Sequence, residues 1–484
     1  MGMIVAHFVS HSQPIRVLLD GTAIPADLGG VGRCVDDLVP ELVEQGVDLT
    51  MAVQERDAEH FATRLPSARI IPISRRFESR PARMAWEQTG LPKLIRKVRP
   101  DVLHSPHYTS PQFPGVPVVI TLHDATFFSH PQAHSRLKQR FFTTAIRRAI
   151  RRADALVVPS LATRDETIKY AGGDPSQFYV AYHGVDRSIF HPVSDTERER
   201  VKASPGLEGR DYIGFLGTLE PRKNVPNLVR GWVKAVCDRP NPPALVLAGG
   251  KGWDEDIDPA LASVPEHLTV LRPGYLPLED LPGFLSGCVI LAYPSIAEGF
   301  GLPVLEAMSC GAATLTTRLT SLPEVGGDAV AYCDIDPDSI ASALTELLDD
   351  PARREALGAA AIPRADEFTW ARAASVHIEA FRAAARSRAN RARRRPPHAR
   401  VSPAAPHARS GVRPRRRGDC GLVGVGRGFP GRGLPGRGLP RGGDVVPSAG
   451  GRDGLPDFHQ GWRKGRHGAA VTGQGVRHLL RLRP

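Results

Sequence analysis

The residues best suited to chemistry lie between Pro294 and Gly311, in the segment Pro-Ser-Ile-Ala-Glu-Gly-Phe-Gly-Leu-Pro-Val-Leu-Glu-Ala-Met-Ser-Cys-Gly. Two carboxylates, Glu298 and Glu306, stand in it with seven residues between them. Glu298 precedes a Gly-Phe-Gly turn. Glu306 falls in a helix predicted from Pro303 to Met308, where Pro303 suits a first-turn position whose missing N–H costs nothing. The apolar run Val289–Tyr293 just ahead reads as a buried strand. Glycines between strand and helix let the backbone approach a ligand, and the free N–H groups and dipole at the helix start favour a phosphate or diphosphate. Carboxylates are poor phosphate ligands but good acceptors for the hydroxyl pairs of a sugar and a ribose. Helical side chains tilt toward the N-terminus, so Glu306 leans back toward the same ligand. The combination points to a nucleotide sugar. Taken alone, Glu-Gly-Phe-Gly fits an ordinary strand–loop–helix unit with two solvated glutamates equally well.

Further candidates lie upstream. Arg222 and Lys223, in Glu220-Pro-Arg-Lys-Asn224, follow the strand signal Tyr212–Leu219 and its Gly217. Adjacent cations on a loop before a helix can neutralise a diphosphate without a metal, arginine as a planar fork and lysine as a mobile point charge. The alternative is plain surface charge. His123 and Asp124 sit at the carboxyl end of the strand Pro117–Leu122, the end that lines ligand crevices in parallel sheets. As a lone pair they also fit a structural histidine. Near the start, Gly29, Gly30 and Gly32 read as a flexible turn into a helix reaching about Glu44, behind the strand Ile15–Leu19. A dinucleotide-binding loop would match that pattern equally well, but no acidic residue ends a clear second strand at the required distance. Asp254, Asp256 and Asp258, and again Asp334, Asp336 and Asp338, have Asp-x-Asp spacing that can hold a divalent metal. The first set reads as a loop and the second as acids preparing a helix at Ser339, so no metal is expected. His104, His107, His130 and His134 carry no supporting motif, and the last two read as surface.

These residues need a scaffold of alternating strands and helices. Strand signals recur at Pro100–His104, Ala155–Pro159 and Ala244–Gly249, and helical ones at Leu137–Arg152, Ala341–Leu348 and Arg364–Ala384. A chain of 484 residues exceeds one core and implies two or three domains. Pro192 to Gly209 reads as the linker between the first two. No apolar run reaches a membrane-spanning length, and the start shows neither a basic leader nor a cleavage site. The expected location is therefore the cytoplasm. Six cysteines lack paired or metal-ligand spacing and read as reduced thiols. The helix Leu137–Arg152 is basic and amphipathic: a solvated face by default, with docking on anionic membrane headgroups as the alternative.

The net charge of +12 is misleading. Residues 386–484 hold 23 Lys/Arg against 4 Asp/Glu, which leaves −7 for the rest of the chain. A nucleic-acid partner is therefore not expected of residues 1–385. The tail is rich in Arg, Gly and Pro, repeats Gly-Arg-Gly-Leu-Pro, and contains no Glu, Ile or Tyr. Such composition buries too little apolar surface to order itself. It reads as a disordered polyanion-binding tail or as a gene read in a shifted frame.

The 294–311 segment resembles the signature of the retaining, metal-independent glycosyltransferases of family 4, whose motif is two glutamates with seven residues between them. Glu298, Glu306, Phe300, Gly301, Pro303 and Ala307–Gly311 match it, as does Gly217-Thr-Leu-Glu-Pro-Arg-Lys-Asn224. The resemblance covers roughly residues 15 to 385 and is closest to the bacterial mannosyltransferase-like branch. It implies an α/β fold of the GT-B kind: two Rossmann-like doubly wound domains, 1–190 on the acceptor side and 191–385 on the nucleotide-sugar side. They face a cleft, and the last helix crosses back to the first domain. The site it implies places His123, Arg222, Lys223 and Glu298 at the reacting centre. Gly30, Gly32, Asp124, Gly217, Tyr275, Phe300, Gly301, Leu302 and Glu306 then hold the donor. Leu271–Leu276 resembles the segment that cradles the nucleobase, and His183-Gly-Val-Asp186 the turn that closes the first domain. The implied partners are a nucleotide diphosphate sugar, with GDP-mannose first and UDP-sugars next, and a glycan, lipid-linked or small-molecule acceptor. No cofactor is implied. Rival readings are an epimerase or phosphorylase on the same architecture, or a non-catalytic binder acting through the basic tail. A phosphorylase would need a pyridoxal lysine, for which no motif is present.

Overall fold

The computed structural model describes residues 13–25, 30–133, 135–203 and 206–394, with only the helix backbone for 388–394. Asp27–Gly29, His134, Cys420 and the tail from residue 395, with the readings that fall on them, lie outside the described residues.

Two parallel sheets organise the chain. The first has seven strands: β1 (Arg16–Asp20), β2 (Asp48–Gln54), β3 (Arg69–Ile73), β4 (Val102–Ser105), β5 (Val118–Thr121), β6 (Ala155–Val158) and β7 (Phe178–Val180), in the order β3-β2-β1-β4-β5-β6-β7. The second has six: β8 (Tyr212–Leu216), β9 (Ala244–Ala248), β10 (Val270–Gly274), β11 (Ile290–Tyr293), β12 (Thr314–Thr317) and β13 (Ala331–Cys333), in the order β10-β9-β8-β11-β12-β13. Both orders reverse direction beside the first strand, between β1 and β4 and between β8 and β11. That reversal defines a doubly wound Rossmann-like sheet and its ligand crevice.

The strands read as continuous apolar runs because both faces of each sheet are covered. In β1, Val17 and Leu19 pack with the helix Gly30–Glu44, while Leu18 faces the opposite cluster with Leu103, Ile120 and Ile146. The helix Trp370–Arg394 returns to the first sheet. Its Trp370, Ala374, Ile378 and Phe381 join the cluster of Val17, Leu19 and Val157. The second sheet has its own core around Trp232, Tyr212, Phe215 and Tyr293, all fully buried.

Two sequence readings need correction. The stretch Pro192–Gly209 is not only linker: Asp195–Lys202 is a helix, capped by the Ser194 hydroxyl, with Asp195 and Glu197 in its first turn and Arg200 and Lys202 in its last. Charge dense enough to suggest a solvated linker is here arranged to complement the helix dipole. Arg364–Ala384 is not one helix. Pro351–Ala365 ends first, and a new helix starts at Trp370. Between them Phe368 is buried and its carbonyl accepts from Val185 N at 3.2 Å, which turns the chain from one sheet toward the other. The 136–152 helix forms as expected on a buried Ile146–Ala149–Ile150 stripe. Asp336 caps the helix Pro337–Asp349 by accepting from Asp338 N and Ser339 N.

Candidate functional site

A cavity of about 390 Å³ lies where the carboxyl ends of both sheets converge. Its walls include Gly30, His123 and Asp124 from the first half, and Gly217, Arg222, Lys223, Tyr275, Glu298, Phe300, Gly301, Leu302 and Glu306 from the second. Every residue of the reacting centre and donor site that the resemblance implies is therefore at this cavity except Gly32. That glycine is buried inside the helix Gly30–Glu44, which begins one turn earlier than a flexible loop would allow. Tyr275 is 71% exposed and stands at the rim.

The Glu-Gly-Phe-Gly loop is shaped by contact across the cleft. A Cβ on Gly299 would fall 1.9 Å from the His123 carbonyl oxygen, so only glycine lets the two halves meet there. Ser160 and Thr163 of the first half donate to the Gly299 carbonyl at 2.7 and 3.1 Å. Gly301 precedes the helix Leu302–Ser309 with φ +105°, a conformation that L side chains rarely adopt.

Glu298 is the hub of a buried charge cluster. Its Oε2 accepts from Arg222 Nη1 at 2.7 Å, and its Oε1 from Lys223 Nζ at 2.5 Å, Ser295 Oγ at 2.7 Å and Tyr293 Oη at 2.9 Å. Lys223 also donates to the Tyr293 hydroxyl, and Arg222 Nε donates to Glu220 at 2.8 Å. Burial alone would raise the Glu298 carboxyl, but Arg222 and Lys223 outweigh it and hold it down at about 2. For Lys223 the balance is reversed. Burial and the neighbouring Arg222 pull its ammonium below the usual value, against Glu298. Burial would lower Arg222 too, yet Glu298 and Glu220 raise it well above its ordinary value. The site thus holds two adjacent cations at a cavity wall, Lys223 buried and Arg222 part-buried, where they act in a lowered dielectric.

Glu306 stands apart from this cluster. Its Oε1 accepts from Arg33 Nη2 at 2.6 Å across the cleft, while its buried Oε2 has no hydrogen-bond partner among the described residues. Burial raises its carboxyl pKa against the pull of Arg33. A buried carboxylate oxygen without a donor at a cavity wall is an open seat for a hydroxyl. His123 Nε2 is 2.8 Å from the Pro106 carbonyl, and burial lowers its pKa below the ordinary 6.5. Because a carbonyl can only accept, Nε2 carries the proton and a neutral ring presents Nδ1 as an acceptor. Asp124 Oδ1 accepts from its own turn, Thr126 N and Thr126 Oγ1, at 3.0 and 2.8 Å.

Several cavity residues escaped the sequence reading. Arg33, Glu220 and His183 each lie inside or beside a segment singled out above and line the cavity: Arg33 reaches Glu306 across the cleft, and Glu220 holds its neighbour Arg222. Gly249 and Gly250 close β9, and their adjacency at a strand end was the available signal. Neither aspartate trio lines the cavity. Asp258 pairs with Arg272, Asp338 with Lys234, and Asp336 is engaged as a helix cap. His104 is a fully buried core residue 3.0 Å from Thr121 Oγ1, whereas His107 belongs to a buried charge network taken up below.

Comparison with known proteins adds the following. Residues 28–189 match the family model described as Glycosyltransferase Family 4, and residues 197–364 match the one described as Glycosyl transferases group 1. The chain is 30% identical over 307 residues to O-antigen chain mannosyltransferase B of Escherichia coli, an alignment covering 62% of this chain and 77% of that protein. It is 29% identical to the alpha-maltose-1-phosphate synthase of Mycolicibacterium smegmatis, over 49% of this chain and 65% of that one. The structure of Anabaena Alr3699/HepE in complex with UDP and glucose superposes with a TM-score of 0.59 at 16% identity, over 78% of this chain and all of that one. At that identity the likeness concerns the fold.

Proposed function

The chain belongs to glycosyltransferase family 4, enzymes that take a sugar from a nucleotide sugar, and on that premise we propose that its cleft moves a hexose to an acceptor hydroxyl with retention and without a metal ion. The observation that carries this reading is the pairing of two adjacent cations, the part-buried Arg222 and the buried Lys223, with the open carboxylate oxygen of Glu306 on one cavity wall. Arg222 and Lys223 take the leaving diphosphate, Glu298 and His123 meet the transferred sugar, and Glu306 takes the ribose hydroxyls. The sugar's anomeric carbon breaks its bond to the phosphate oxygen and forms one to the acceptor oxygen. The acceptor's proton passes to the departing phosphate, so no protein base is required. Charge that develops on that phosphate meets cations already in place, which is where an enzyme gains most over water. Enclosure between the two halves excludes water, the competing acceptor.

Mannose from GDP-mannose is the first donor to test, because a relative 30% identical over 77% of its own length is named a mannosyltransferase. UDP-sugars come next. The acceptor reading is a glycan or a lipid-linked hydroxyl presented at the inner face of a membrane. In support, the 136–152 helix lines a second cavity of about 460 Å³ with Arg140, Arg148 and Arg152, and Leu137 beside them is 82% exposed. Basic and apolar side chains on one surface suit anionic headgroups. Among the described residues no helix is long and apolar enough to cross a membrane. The test is a panel of nucleotide sugars assayed for transfer and hydrolysis with and without EDTA, with NMR of the product anomer. One donor should be used, with retained configuration and undiminished rate under chelation. Activity abolished by EDTA and restored by Mn²⁺, or an inverted product, would overturn the reading.

A further inference from the structure

At the switch point of the first sheet lie four ionisable side chains that the donor site leaves unused. Asp20 ends β1, His107 follows β4, and Arg83 and Glu87 project from the helix Arg80–Val98. Asp20 is 0% exposed, Glu87 2% and His107 9%. Glu87 Oε2 accepts from Arg83 Nη1 at 3.0 Å and from Thr109 Oγ1 at 2.6 Å. His107 Nε2 lies 3.5 Å from the same oxygen and 3.8 Å from Asp20 Oδ2, which has no hydrogen-bond partner among the described residues. Asp20, Glu87 and His107 offer ligand atoms within 4.8 Å of one another. The Arg83 guanidinium, however, is 3.0 Å from Glu87 and 3.3 Å from His107 Nε2, so the positive charge of the cluster is already supplied.

Burying such a set carries a desolvation cost that packed apolar side chains avoid, so stability is a weak reason for it. Its place in the chain supplies a better one. His107 stands between Pro106, whose carbonyl holds His123 Nε2, and Tyr108, whose hydroxyl accepts from Asp124 N at 3.2 Å and whose ring packs edge-on to His123. One three-residue segment therefore touches His123 and Asp124 on one side and is tied to β1 and the 80–98 helix on the other.

We propose that the Asp20–His107–Glu87–Arg83 network is a positioning device: by anchoring His107 it fixes the Pro106 carbonyl and so locks His123 as an Nδ1 acceptor at the cleft. The four residues touch no reacting atom; they act through His123. The functional part rests on the reading that His123 meets the donor sugar, whereas the tautomer itself can be read without any donor.

The experiment is ¹⁵N NMR of histidine-labelled, ligand-free protein, with the His123 signals assigned by their loss in His123→Gln. The wild type should show a protonated Nε2 and a bare Nδ1. Glu87→Gln should convert this to a mixture of tautomers and lower kcat about tenfold, the scale of a modest misplacement of a reacting group, with little change in donor KM. In a His123→Gln background, Glu87→Gln should add no further loss, because both act through one residue. Unchanged His123 nitrogen shifts in Glu87→Gln, or kcat losses that multiply in the double variant, overturn the proposal. If Glu87→Gln fails to fold, Thr109→Val, which removes the 2.6 Å bond at nearly constant shape, is judged by the same criteria. If the wild type transfers no sugar, the donor reading fails, and the nitrogen shifts still decide the positioning claim.

Discussion

Glu298→Gln removes one negative charge from the most heavily bonded carboxylate in the cleft while keeping its size. In the wild type both oxygens of Glu298 accept, and every donor to them is a cation or a hydroxyl. Glutamine offers one acceptor oxygen and one NH₂ group, so Arg222 or Lys223 must face a donor. The Glu298 carboxyl sits at about 2 rather than its ordinary 4.5. A displacement of that size corresponds to about 3 kcal/mol of stabilisation in the folded state. Breaking a buried ion pair by removing one partner costs about 3–5 kcal/mol by independent experience, so the two routes agree in order of magnitude. For the half of the molecule that carries the second sheet, this amounts to a drop in Tm of about 6–12 °C. The measurement is thermal melting by circular dichroism at pH 7, repeated down an acid series. Because folding lowers this carboxyl's pKa, its stabilisation is complete above 4.5 and is lost as the pH falls toward 2. The variant should therefore melt lower at pH 7 and converge on the wild type in acid. A variant that melts with the wild type at pH 7, or a gap that widens in acid, would refute the buried network as described.

The remaining predictions concern turnover. Arg222→Ala or Lys223→Ala should each lower kcat by about 10² to 10³ in a steady-state transfer assay, the usual scale for one electrostatic contact to the transition state. Near-normal turnover in both would reduce the pair to structural partners of Glu298. Glu306→Gln should mainly raise the donor KM, since a ribose is held alike in ground and transition states, whereas Glu298→Gln should mainly lower kcat. The opposite division of effects would reverse the roles assigned to the two glutamates.

The fold was legible because its strands are short apolar runs covered on both faces, and Val289–Tyr293 or Ala244–Gly249 could hardly be anything else. The loop that carries Glu298 was legible for the same reason: strand end, glycines and helix start are local features. What escaped was long-range. Arg33 meets Glu306 across 273 positions of sequence, and Glu324 of the second half accepts from Leu161 N and Ala162 N of the first at 2.8 and 2.7 Å. No local pattern announces such a partner. His107 looked like one more unsupported histidine because Glu87 and Asp20 approach it only once β1, β4 and the 80–98 helix are assembled. The Asp195–Lys202 helix was missed for another reason: it buries only Val201, so it lacks the apolar stripe on which helix recognition depends.

On the proposed reading, the charge cluster can take a diphosphate without being rebuilt. Arg222 and Lys223 are engaged with Glu298 and Glu220, so an incoming diphosphate must share them. If Lys223 turns toward it, Glu298 Oε1 still keeps the hydroxyls of Ser295 and Tyr293, and the carboxylate is not left bare. The backbone beneath stays fixed, because the Arg222 carbonyl accepts from Ile296 N at 2.8 Å and from Ser295 Oγ at 3.0 Å. The exchange is thus confined to side-chain ends pivoting on a rigid frame that joins the loop after β8 to the loop after β11. Donors held this way need little reorganisation when charge develops on the leaving group, which is the condition under which electrostatic stabilisation is most effective. Lys223, whose pKa burial and Arg222 already lower, gains most from the added negative charge, so the reacting complex should hold its proton more firmly than the ligand-free protein does.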